Sequence, residues 1–283
     1  MVIADPVLAE HVEWMRLREL SPRTVEQRLT AMHSLIRWAQ APSLMLDAGH
    51  LNGWQRALAE HVAPASRSSY VSQVRSFYGW ATAAGLVESD PTAVLVAPKL
   101  RQGKPRPISE ADLERALAQA PDRVAPMLVL AAYAGLRAAE IGALDRADVL
   151  DRQDPALLVV TGKGGKERIV PAGAGTVAAL HRYGLPASGP VFRREDGRPG
   201  RLSGNLVSHL CCGYLHSVGI EDTFHALRHR FLSQIYRETH DIRLTQELAG
   251  HESPATTAIY VQWSSEDAAR AVAQLDSVSR KAI

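Results

Sequence analysis

Cysteine is nearly absent. The 283 residues hold two, Cys211 and Cys212, side by side. With no other cysteine to pair with, they exclude a disulfide framework and fit a reducing cytosol. Long apolar runs are missing too, and nothing approaches the ~18 residues that a membrane span needs. The N-terminus, MVIADPVLAEHVEW, lacks a basic region followed by an apolar core, so it does not read as a secretory signal. An excess of one charge is also lacking. The formal net charge is +2, with 11 Lys+Arg against 9 Asp+Glu up to Lys104 and 21 against 21 beyond it. A nucleic-acid surface would therefore need a local arrangement of basic side chains, with the acids facing elsewhere. The phosphate-loop pattern G-x-x-x-x-G-K-[ST] does not occur. No internal repeat, low-complexity tract or carboxylate cluster ready for Mg²⁺ stands out. What is present is an ordinary apolar share of 46%, enough for a core, in a chain long enough for about two domains.

The first hundred residues read as four helices, enough for a small bundle. SPRTVEQRLTAMHSLIRWA starts with Ser21 as N-cap and Pro22 at the first helical position. Val25, Leu29, Met32, Leu35, Ile36 and Ala39 follow at helical spacing. A second helix carries Tyr70, Val74, Phe77 and Ala81 on one stripe and stops at Gly85. The others span Asp47 to Glu60 and Val7 to Leu17. APKLRQGKPRPIS, Ala97 to Ser109, reads as an extended linker whose three prolines oppose a helix. Its cations Lys99, Arg101, Lys104 and Arg106, with no acid among them, suit a phosphate backbone as well as a solvated linker does.

Ser109 with Asp112 makes a capping-box start. An apolar helix then breaks at Gly135, and a second begins at about Arg137. Leu157 to Thr161 and Glu167 to Pro171 read as the strands of a hairpin turning at Gly162 to Lys166. Helices are expected at Thr176–Tyr183, Ser203–Val218, Phe224–Arg237, Ile242–Leu248, Pro254–Trp263 and Ser265–Leu275.

Chemistry-bearing residues gather in four stretches. In TFHALRHRFLSQIY, the apolar stripe is Phe224, Leu227, Phe231 and Ile235. His225, Arg228 and His229 share a neighbouring face at i, i+3 and i+4. Two histidines four apart suit zinc, but Ala226 stands where the hydrolytic motif needs a glutamate, and an arginine between the ligands is a poor neighbour for a cation. The same three side chains also suit an anion, which arginine grips through its planar fork. In AGLRAAE, Arg137 sits at a helix start, where free amides favour anions. TGKGGKER puts Lys163 and Lys166 on a glycine-rich turn. AGHESPATTAIY places His251 before a helix start and Tyr260 on the helix itself. Alone, this last stretch also fits an ordinary helix end and a half-buried tyrosine. In chain order, two arginines, a lysine, two histidines and a tyrosine make up what metal-free phosphoryl transfer to a tyrosine requires.

The stretches AGLRAAE, GKGGKER, HALRH and AGHESPATTAIY resemble, in order and spacing, the boxes of the tyrosine recombinases, the family of phage integrases and Xer-type recombinases. The match covers the chain from about Pro107 and, more loosely, the helical region that begins LSPRTVEQR. The resemblance implies a mainly α protein: an N-terminal four-helix core-binding domain over residues 1–96, a linker over 97–108, and a mixed α+β catalytic domain with a small antiparallel sheet over 109–263. A tail helix over 264–283 would pack on its own domain or, as in the family, dock on a neighbouring protomer. It implies Tyr260 as nucleophile, Arg137 and Arg228 on the non-bridging phosphate oxygens, and His225 as proton acceptor or phosphate ligand. His251 would lie beside the phosphate. Lys163 would be general acid, in preference to Lys166 because the family's lysine is the first of such a turn. Glu140 would be an accessory acidic group.

The resemblance further implies a C-shaped clamp on double-stranded DNA, two protomers per core site and four per synapse, with no cofactor, metal or membrane. Arg23, Arg67 and Arg75 join the four linker cations as expected DNA contacts. An accessory directionality factor and a cytoplasmic, nucleoid-associated location fit the same picture. Because the helical region starts within about ten residues of Met1, an additional arm-site module is not expected. Three readings compete: a DNA-binding protein of the same fold that does not cut, a relaxing enzyme of the type IB topoisomerase kind, and a metal-dependent hydrolase using His225, His229 and His251. The completeness of the residue set argues against the first.

Overall fold

The computed structural model describes residues 5–99, 106–194 and 200–250. They fall into two compact units, one within Met1–Gln102 and one within Gly103–Ile283. The expected helices Pro254–Trp263 and Ser265–Leu275, with His251 and Tyr260, lie outside the described residues, as do Arg101 and Lys104.

The first unit contains α1 (Pro6–Leu17), α2 (Pro22–Ala39), α3 (Ala48–His61) and α4 (Pro64–Ala83). Their starts follow from side-chain caps. Asp5 accepts from the Val7 N–H at 3.2 Å, Ser21 from Thr24 at 3.2 Å and Asp47 from His50 at 2.9 Å, each satisfying a donor that the first helical turn leaves unpaired. The apolar stripe of α2 enters the core through Met32, Leu35 and Ile36. That of α4 enters through Val74, Phe77 and Ala81. Leu51 and Trp54 of α3 meet them there. His11 of α1 is buried among aromatic rings, with centroids 5.3 Å from Trp14, 5.2 Å from Phe77 and 4.6 Å from Trp80. Neither ring nitrogen has a hydrogen-bond partner. Burial, reinforced by the nearby Arg28 charge, pushes its pKa down to about 4, so the ring is neutral near pH 7.

In the second unit, α5 (Glu110–Ala118) starts at Ser109, whose hydroxyl accepts from the Asp112 N–H and donates to its carboxylate. α6 (Ala125–Tyr133) is nearly all apolar and carries six buried residues, Pro126, Met127, Leu128, Leu130, Ala131 and Ala132, as expected of a helix covered on most sides. α7 (Ala138–Ala143) follows one tight turn later.

Three antiparallel strands come next, β1 (Val149–Leu150), β2 (Ala156–Thr161) and β3 (Glu167–Ala172), in the order β1-β2-β3. The two long strands are the expected hairpin, and β1 is added to its outer edge. Side chains alternate between sheet faces. Leu158, Val160, Val170 and Ala172 point into the core, whereas Ile169 is 60% exposed. Because Arg168 pairs with Val160 in the register, it belongs to the inward set. α8 (Ala174–Tyr183), α9 (Gly204–Ser217), α10 (Phe224–Thr239) and α11 (Ile242–Ala249) complete the described chain. α11 packs on both α10 and β3.

Among the described residues, no helix is long and apolar enough to cross a membrane. None of their His, Cys, Asp and Glu side chains gather in groups of three or more as a metal site. Both cysteines are free thiols; Cys211 is buried, and Cys212 Sγ accepts from the Phe224 N–H at 3.2 Å.

Candidate active site

Arg137 is placed by the turn between α6 and α7. Gly135 adopts φ +66°, and a Cβ there would lie 2.3 Å from the Phe231 ring. Only glycine fits both the left-handed backbone and the close approach. The turn leaves Arg137 as the N-cap of α7, and Glu140 reaches back to it. One carboxylate oxygen accepts from the Arg137 N–H at 2.7 Å, the other from its guanidinium at 2.8 Å. This is the backward half of a capping box.

Glu140 is 6% exposed, and two more guanidiniums meet it inside. Arg168 comes from β3 as a bidentate partner, with Nη1 and Nη2 donating to the two oxygens at 2.8 and 2.9 Å. Arg228 comes from α10 and stands 3.9 Å away. Burial works to raise the Glu140 pKa. The Arg168 hydrogen bonds and charge, the Arg137 N–H and the Arg228 charge work the other way and hold it below the usual carboxylate range. Glu140 is therefore ionised at neutral pH. Among these four side chains, cations outnumber the carboxylate three to one.

The same arginines grip the end of α11. Arg168 Nε donates to the Leu248 carbonyl at 3.0 Å. Arg228, only 2% exposed, donates to the carbonyls of Ala249 and Gly135. Arg137 reaches the Gly250 carbonyl at 3.4 Å. Three consecutive carbonyls that a helix end leaves without partners are thus taken by three arginines from three different elements. Gly250 closes the helix at φ +57°, and a Cβ there would meet Arg168 Nη1 at 3.0 Å.

His225 and His229 lie on α10 with rings 5.0 Å apart, edge to face. His225 keeps contact with solvent, yet partial desolvation, then the charges of Arg228 and Arg137, lowers its pKa. Burial, then His225 and Arg228, pushes His229 down to about 4. Both rings are neutral near pH 7, and a neutral imidazole can accept a proton.

The structure thus brings together Arg137, Glu140, His225 and Arg228 of the expected set. It puts Lys163 at the start of the short 3₁₀ turn Lys163–Gly165 joining β2 to β3. The expected DNA contacts differ in their surroundings. Arg23, Lys99 and Arg106 are exposed. Arg67 has a buried Nε without a hydrogen-bond partner. Arg75 donates to the Leu95 carbonyl at 2.5 Å.

Sequence reasoning missed Arg168, though it stands inside the GKGGKER stretch. The signal was strand parity: Arg168, Val170 and Ala172 share one face of β3, so the arginine had to enter the interior with them.

Comparison with known proteins extends this picture. The model of the phage integrase family matches residues 107–267. The tyrosine recombinase XerC of Xanthomonas campestris is 32% identical over 262 residues, 86% of this chain and 79% of that protein. XerD of Vibrio vulnificus is 31% identical over 276 residues, 89% of this chain and 88% of that one. Among solved structures, a lambda integrase dimer bound to a COC′ core site has the same fold, with a TM-score of 0.73 and 17% identity, over 91% of this chain and 96% of that one. The chain belongs to the phage integrase family of tyrosine recombinases.

Proposed function

We propose that this site-specific DNA recombinase cuts and rejoins DNA through a 3′-phosphotyrosine on Tyr260. The observation that carries the reading is the cluster around Glu140, where guanidiniums held in place by a buried carboxylate outnumber it three to one. Preorganised cations of this kind stabilise the charge that builds on a phosphorus in attack.

The steps follow from the groups present. Tyr260 Oη forms a bond to phosphorus as the bond to the 5′-oxygen breaks. A phenol with a pKa near ~10 is mostly protonated at neutral pH, so its proton must go to an acceptor. His225, neutral for the reasons above, takes it. Lys163 gives a proton to the leaving 5′-oxygen. Arg137 and Arg228 hold the non-bridging oxygens, and His251 lies beside them. The phosphotyrosine conserves the energy of the broken bond, so a 5′-hydroxyl from a second strand reverses the step without ATP. No step here assigns work to a metal.

In this reading the first unit binds the core site, with residues 97–108 as linker, 109–263 as catalytic domain and 264–283 docking on a neighbouring protomer. Lambda integrase neighbours are a dimer on a core site and a tetramer on a Holliday junction, which supports two protomers per site here and four in a synapse. A directionality factor and association with the nucleoid belong to the same reading.

The test uses a nicked duplex carrying a core site recovered by selection from random-sequence DNA, with chelator present. The expected result is a covalent protein–DNA adduct that maps to Tyr260 and is lost in Tyr260→Phe. Tight, specific binding with no adduct would sink the reading in favour of a protein that binds without cutting.

A further inference from the structure

We infer that Arg168 is a positioning residue: it holds Glu140 and the end of α11 in one hydrogen-bonded unit, and so fixes Arg137 and Arg228 for the phosphate. The inference rests on the proposed cleavage reaction for its catalytic meaning, and on geometry for its mechanism.

Arg168 takes both Glu140 oxygens side by side, at 2.8 and 2.9 Å. A bidentate pair fixes direction as well as distance. Its third nitrogen, Nε, donates to the Leu248 carbonyl at 3.0 Å. Each of its three nitrogens thus donates within the protein. Arg137 divides its donors between Glu140 and the Gly250 carbonyl. Arg228 stands farther from Glu140, at 3.9 Å. The labour is therefore divided. Arg168 neutralises and orients the carboxylate, and the carboxylate in turn aligns the two arginines that the reaction uses.

Two further features fit. Gly250 leaves room for Arg168 where any side chain would press on it. The hairpin that carries Lys163 at its turn also carries Arg168 on β3, so the same contact ties that hairpin to α11. The charged groups facing Glu140 are Arg137 ahead of α7, Arg168 from β3 and Arg228 from α10. Without Arg168, burial is opposed only by the other two.

The test is a double-mutant cycle of wild type, Arg168→Met, Glu140→Gln and the double variant, with Arg168→Lys alongside. Single-turnover adduct formation, DNA affinity and thermal unfolding are measured for each. Misplacing reacting groups by about an ångström costs on the order of a hundredfold. Arg168→Met is therefore expected to slow cleavage roughly tenfold to a hundredfold with DNA affinity nearly unchanged. The double variant should be no slower than the slower single, because Arg168 acts through Glu140. Arg168→Lys should recover part of the rate. The acid limb of the Arg168→Met pH–rate profile should move to higher pH, as the buried carboxyl becomes easier to protonate. Cleavage by Arg168→Met at the wild-type rate, or losses that multiply in the double variant, overturns the inference. If wild type itself forms no adduct, the cleavage reading fails first. The unfolding cycle then decides the positioning role: non-additive losses keep it and additive losses remove it.

Discussion

The two units bury ionisable groups in opposite ways. In the first, His11 lies among Trp14, Phe77 and Trp80 with no hydrogen bond, and its burial is tolerable because the ring stays neutral. In the second, Glu140 stays charged, and three arginines surround it. A lone buried base escapes the cost of desolvation by giving up its proton. A buried carboxylate in a cationic setting meets that cost with ion pairs and hydrogen bonds. The first solution suits a unit that only has to be packed. The second builds a charged site whose geometry is fixed before any substrate arrives.

The largest expected effect breaks the second solution. Glu140→Ala leaves Arg228 and Arg168 buried without their carboxylate. Removing one partner of a buried pair costs about 3–5 kcal/mol, so urea unfolding should show a loss of that order in the second unit. A loss below about 1 kcal/mol would mean that water relieves the cluster and that the contrast is false.

The next prediction breaks the first solution. The His11 pKa is about 4 in the folded chain and near 6.5 unfolded. The unfolded chain therefore binds more protons between these values, so stability is full above pH 6.5 and falls as pH drops toward 4. The loss should reach up to about 3 kcal/mol. His229 titrates in the same sense in the second unit. Replacing His11 by Phe should flatten the pH dependence of the first unit alone, followed by circular dichroism melts at pH 7 and pH 4.5.

Smaller effects sharpen the contrast. Gly250→Ala forces a left-handed backbone angle on a residue with a Cβ, at a cost of about 1–2 kcal/mol, and presses on Arg168. Its cleavage rate should fall more than its stability, and equal losses in both would argue against a positioned helix end. At the other extreme, Arg243 and Glu247 form a pair on the surface of α11, with side chains 87% and 65% exposed. Glu247→Ala should change stability by less than about 0.5 kcal/mol, a measure of how little a solvated ion pair contributes beside the buried one.

Much of this architecture is legible in the sequence because it is local. Ser21 with Pro22, and Ser109 with Asp112, announce helix starts through bonds between residues three apart. Arg137 and Glu140 are legible for the same reason, since the carboxylate closes onto its own helix start. β1 escaped notice because two residues are too short a run to show a period. The depth of Arg228 was not legible either. Spacing placed it on one face with His225 and His229, but packing against Gly135 and Ala249 buries the arginine and leaves His225 exposed. Arg168 and Glu140 are 28 residues apart, and nothing local links them. Only strand parity, combined with the rule that a buried charge needs a partner, would have found that pair.

The aromatic core of the first unit has an optical consequence. Every tryptophan among the described residues, Trp14, Trp38, Trp54 and Trp80, belongs to that unit. Ultraviolet emission excited near 295 nm is thus dominated by one half of the molecule, with Trp263 as the single indole elsewhere in the chain. In a Trp263→Phe variant, emission becomes an unlabelled reporter of the helical unit, against which the far-ultraviolet signal of the whole chain can be compared. The chain then carries its own spectroscopic label for the question of whether its two halves melt, and engage DNA, together or in turn.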